Sequence, residues 1–138
     1  MPHPKTVTAL RRQRHRDDGS AIAEFVMVTA LLLLLGLGVF QLAFALHVRV
    51  TLIDCAAEGA RVAAGIGSDL ELGKQRAKTL IAGALNPDYA ADVTAEKVQI
   101  EGIDLVRVTV NAPLPLIGLF GPVEGISITG HAVDEASL

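Results

Sequence analysis

The chain has 138 residues, about half of them apolar, and a formal net charge of −3. That length leaves room for one small domain with appendages. Its single cysteine, Cys55, excludes an intramolecular disulfide framework; within its Ala-rich helical pattern it reads as a small packed hydrophobe, with an intermolecular bridge as the minor alternative.

Residues 1–19 carry Lys5, Arg11, Arg12, Arg14 and Arg16 against Asp17 and Asp18, a net +3, so the rest of the chain is acidic. Pro2 and Pro4 disfavour regular structure at the tip, and a flexible leader is expected. The Arg11–Arg16 cluster alone could suggest a nucleic-acid patch or a twin-arginine signal. It directly precedes an apolar run, and there its role is topology: N-terminus cytoplasmic, C-terminal part outside.

From Phe25 to Leu46 no side chain is charged. Those 22 residues suffice to cross a hydrocarbon core ~30 Å thick at ~1.5 Å per residue. In lipid every backbone polar group needs an internal partner, so the run is a helix. Ala43-Phe44-Ala45 satisfies the small-residue rule for secretory cleavage, but the run before it is too long for such a signal. Glu24 stands at the mouth of the run. A carboxylate within a spanning helix costs up to roughly 3 kcal/mol, less near the interface. Glu24 therefore either lies at headgroup level or needs a cationic partner, which a cut after Gly19 would supply as the α-amine of Ser20.

Residues 20–66 read as one helix, transmembrane over about residues 21–46. Beyond the membrane, Val48, Leu52, Cys55, Ala56, Gly59, Ala60 and Ala63 share one face at helical spacing. That face is expected to be the core side, against the domain's own sheet. Glu58 and Arg61 stand at i, i+3 and can pair. Gly65-Ile66-Gly67 ends the helix. Ser68 to Glu71 has the form of a capping box and opens a second helix, with Leu70, Ala77, Leu80, Ile81 and Ala84 as its apolar face and Asn86-Pro87 as its stop.

Residues 88–95 read as a loop. Lys97 to Glu101 alternates with period two, Gly102 marks a turn, and Leu105 to Asn111 alternates again with Val106, Val108 and Val110 on one face; the pair is an antiparallel hairpin. Leu114 to Pro122 is an unusually apolar loop, expected to cover the core, with the membrane surface or a partner as alternatives. Gly125 to Val133 is a third strand, with Ile126, Ile128 and Ala132 inward. Leu119, Phe120 and the strand valines are expected to pack on the small-residue helix face. The fold class is α+β: a long N-terminal helix carrying a small extracytoplasmic head, residues 67–138, of one further helix and a three-stranded antiparallel sheet.

No catalytic constellation is present. His3, His15, His47 and His131 have no partner at metal-ligand spacing, and no phosphate loop or nucleophile elbow occurs. His131 is expected on an outward strand face. The chain is read as a non-enzyme without cofactor, metal, nucleic acid or small-molecule substrate.

Two stretches carry a resemblance. Gly19-Ser20-Ala21-Ile22-Ala23-Glu24-Phe25 resembles the type IV prepilin cleavage signal: Gly before the cut, Glu fifth after it, an aromatic or apolar residue sixth, then a long apolar run. Glu58-Gly59-Ala60-Arg61 is similar to the corresponding segment of TadE-like proteins, the small pilin-related proteins of tight-adherence (Flp) pilus systems. The resemblance implies a minor pilin or pseudopilin, anchored in the inner membrane and cut by a prepilin peptidase between Gly19 and Ser20. It would then join or prime a filament with other pilin subunits and a membrane platform. Glu24 and Phe25 would serve assembly and recognition. Major Flp pilins are far shorter, so a head of this size implies a minor or initiating subunit. The alternative is a single-pass anchored protein whose head binds an envelope partner without forming a filament.

Overall fold

In a computed structural model, residues 6–113 and 125–137 are described, with side chains from Gly19 onward. Helix α1 runs Thr6–Ala64, 59 residues. It starts 14 residues before the Ser20 expected, so most of the leader is helical instead of flexible. The physical reason is propagation: with no proline between Pro4 and Pro87, each added residue extends an existing helix and avoids a second nucleation cost. The Leu114–Pro122 loop, with Leu119 and Phe120, lies outside the described residues.

Two compact units divide within α1, Met1–Gln41 and Leu42–Leu138. In the first, the large apolar residues from Ile22 to Phe40 are exposed. Apolar side chains all round a helix, with no protein to cover them, mark a segment built for lipid or for other apolar helices. This helix is long and apolar enough to cross a membrane, which makes it a single-pass anchor.

The second unit holds the core. The α1 stripe expected to face inward does so: Val48, Leu52, Cys55, Ala56, Gly59, Ala60 and Ala63 are all buried. Helix α2, Leu70–Ala84, buries Gly73, Ala77 and Ile81. Fully burying a Leu or Ile side chain stabilises by ~1.5–3 kcal/mol, so Leu52 and Ile81 anchor a core made otherwise of small residues. Ala84, expected inward, is exposed. The α2 N-cap is Asp69, one residue after the expected Ser68; its carboxylate accepts from the Leu72 N–H at 2.7 Å. Ser68 instead uses its own N–H in the turn that closes α1, donating to Gly65 O at 3.1 Å.

A 3-10 turn, Pro87–Ala90, leads into β1, Asp92–Ile100. Residues 92–95 were expected to be loop. They pair with β2, Ile103–Ala112, and Val93 is buried opposite Val110. Pairing against a buried strand outweighs the weak intrinsic preference of Asp and Ala. Strand β3, Ile126–Val133, adds antiparallel to β2, giving the order β1-β2-β3. The β1–β2 hairpin turns on two residues, Glu101 at φ 53° and Gly102 at φ 83°. Two positive φ values make a type I′ turn, whose twist matches that of the strands.

Val106, Val108 and Val110 face inward and are fully buried, with Ile128 beside them. On the other face Glu96, Arg107 and His131 form one cross-strand row, and Val98, Leu105 and Val133 the next. Register alone separates the two faces, because side chains alternate along each strand.

Candidate functional site

Within the first unit, Gly19, Ser20, Glu24 and Phe25 lie on one continuous helical stretch and all are exposed. Ser20 and Glu24 are one helical turn apart and share a face. A Cβ placed on Gly19 meets nothing within 4 Å. Folding therefore makes no demand for glycine at position 19. Among the residues whose side chains are described, no cation stands within ion-pair distance of Glu24.

The Glu58-Gly59-Ala60-Arg61 segment lies in the second unit, where α1 crosses α2. A Cβ on Gly59 would stand 2.8 Å from both the Ala77 Cβ and the Gly73 carbonyl oxygen. One on Gly73 would run into Ala63 and the Gly59 carbonyl. The two glycines let the backbones of α1 and α2 touch, as small residues do at close helix crossings. Ala60 is fully buried. Glu58 meets Arg61 at 3.6 Å, as its i, i+3 spacing suggested, and Arg76 of α2 at 3.9 Å. Both arginines are largely exposed, and exposed pairs contribute ~0–1 kcal/mol each. The segment is thus a helix-crossing device with a polar clasp on its outer side. Part of the stripe faces α2 and not the sheet as expected, while Ala56 meets β3: a Cβ on Gly130 would strike the backbone at Ala56 and Ala57.

Reading by spacing did not find Gly73, Arg76 or Gly130. Gly73 had a usable signal, since a glycine inside a helical pattern usually has a packing reason. Gly130 and Arg76 had none, because their partners are distant in sequence.

The remaining polar groups tie the head together. Lys97 Nζ donates to Asp134 Oδ2 at 2.7 Å, and the Ala136 N–H donates to Asp134 Oδ1 at 3.1 Å. The Lys97 hydrogen bond, then the Ala136 bond, hold the Asp134 carboxyl below the usual carboxylate range. Burial, and secondarily the charge of Asp54, push the Cys55 thiol up, which keeps it protonated and a poor nucleophile. His131 is exposed, as expected, and its Nε2 accepts from Arg107 Nε at 3.1 Å. Among the described residues, no three His, Cys, Asp or Glu side chains gather to hold a metal.

No curated protein and no solved structure matches the chain. Residues 19–61 match the family model described as TadE-like protein. The matched stretch starts at the glycine of the Gly19–Glu24 spacing and ends at the arginine of Glu58–Arg61, and over it this chain is similar to the TadE-like family.

Proposed function

We propose that the chain is a structural subunit, a minor pilin or pseudopilin, of a tight-adherence-type pilus. It is made as a precursor and cut by a prepilin peptidase between Gly19 and Ser20. The observation that carries this reading is the TadE-like match that opens at Gly19 and continues through an uncharged run whose large apolar side chains are exposed. A glycine with no packing neighbour supports an external reader of that position. Glu24 is exposed at the mouth of the run; in an assembly it would pair with the new Ser20 amine of a neighbouring subunit. Leaving lipid for a bundle of apolar helices costs little, since one apolar packing replaces another. The inner membrane holds the subunit before assembly, with the N-terminus cytoplasmic, and the platform proteins of the system extract it.

Mass spectrometry of the protein recovered from envelopes tests the cut. A start at Ser20 supports it; a start at Met1 or Pro2 refutes it. Glu24→Ala is expected to permit cleavage and impair assembly, and normal piliation in that variant would remove the pairing role.

A second reading has its own support. The end of the outer sheet face nearest the hairpin exposes Ile100, Ile103 and Val133. Such a patch suits a head that binds an envelope partner without filament assembly. An uncut N-terminus would favour this reading.

A further inference from the structure

The second unit contains the last turn of the uncharged run, Leu42–Leu46, and the head packed on the turns that follow. Val48 is only 1% exposed and belongs to the head core. It lies two residues past Leu46, about 3 Å along the helix axis at ~1.5 Å per residue. The headgroup layer is roughly 5–8 Å deep on each side of the hydrocarbon. The head therefore begins inside that layer, with no stalk between it and the bilayer.

The register identifies which end of the head lies there. Phe44, His47 and Val48 line a cleft with Ala84, Leu85 and Tyr89, so the end of α2 and the Pro87–Ala90 turn sit beside the membrane exit. That turn feeds the start of β1. Asp92 pairs with Asn111, and Ala112 pairs with Ile126, so the end of β2 and the start of β3 lie at the same end of the sheet. The opposite end is held by Val106 packed with Ala63 and Ala64, the last residues of α1.

We propose that this end of the head is a lipid-contacting surface, seated in the headgroup layer of the leaflet it faces. Phe44 and Tyr89 are its aromatic contacts. Tyr89, with an apolar ring and a polar tip, is suited to this depth, and Phe44 lies at the edge of the uncharged run. Among the described residues, the charges at this end are Asp88 and Asp92 against Arg49, with no basic excess. Contact is therefore apolar and aromatic, and zwitterionic lipid suffices. The inference requires only that the run spans a membrane, and it holds whether or not Gly19 is cut.

Tyr89 is the sole tyrosine and there is no tryptophan, so intrinsic emission reports this site alone. The full chain is reconstituted in phosphatidylcholine vesicles carrying bromine at a shallow or a deep acyl position. Shallow bromine is expected to reduce Tyr89 emission more than deep bromine, with little further loss to aqueous acrylamide. In the double variant Tyr89→Phe with Ile100→Tyr, the reporter moves to an exposed site at the other end of the sheet. There acrylamide is expected to quench and lipid bromine is not. Quenching of Tyr89 by acrylamide and not by lipid overturns the proposal. Insensitivity to both, relieved on dilution of the protein in lipid, also overturns it and assigns the cleft to a second copy. Neither result bears on the Ser20 start.

Discussion

At the scale of single residues, the glycines sort by what surrounds them. Gly59 has a neighbouring side chain and a carbonyl oxygen at 2.8 Å from where a Cβ would stand; Gly19 has open space. Gly59→Ala is expected to destabilise the head by ~1–3 kcal/mol, the usual cost of overpacking. Gly19→Ala should leave stability unchanged or raise it by up to ~1 kcal/mol through helix propensity. Chemical denaturation of the detergent-solubilised chain checks both. A bulky residue at Gly19 should then block processing without loss of fold, leaving the precursor band unshifted on a gel. Asp134 gives a pH dependence. Its folded-state pKa lies below its unfolded value, so its contribution is present above about pH 4, the unfolded carboxylate value, and is lost as pH falls through the lower folded value. Asp134→Asn should flatten that part of the acid limb, seen by comparing denaturation midpoints between pH 5 and pH 2.

At the scale of elements, caps and turns decide where each piece starts. Asp69 alone caps α2 through its bond to Leu72, so Asp69→Ala should cost ~1 kcal/mol while Ser68→Ala costs less. The hairpin holds Glu101 at φ 53°, a region that side chains other than Asn, Asp and Gly occupy at a cost of roughly 1–2 kcal/mol. Glu101→Asn is expected to recover part of that, raising the denaturation midpoint without changing the slope. Element existence was readable along the chain because periodicity is local: the α1 stripe and the Val106, Val108, Val110 alternation both pointed inward correctly. The start of β1 was not readable. Asp92 and Ala95, at the two ends of that stretch, have weak strand preference, and the stretch becomes strand through pairing with Val108 to Asn111.

At the scale of the whole molecule, the last part of α1, from Leu42 to Ala64, belongs to the same compact unit as the head. Val48, Leu52, Ala56 and Ala60 are core residues shared with α2 and the sheet. A fragment of residues 67–138 should therefore remain unfolded, while residues 42–138 in detergent should fold; dispersion of amide resonances distinguishes them. The expected boundary at residue 67 marked the end of the helix, and the compact unit instead begins at Leu42. Charge order and apolar run length already specified an anchored chain, and the Gly19–Glu24 spacing marked the candidate cut. The geometry adds that folding makes no demand for glycine at position 19, whereas it does at position 59.

What the sequence determined by itself is whatever depends on neighbours along the chain: the uncharged run, the helical stripe, the strand alternation, and the spacing of Gly19, Glu24 and Glu58–Arg61. Only the tertiary structure decided that Gly59 meets Gly73, that Glu58 reaches Arg76, and that Gly130 admits the backbone of α1. Each of those contacts joins residues far apart in sequence and turns on ångström-scale approach, which no local periodicity encodes.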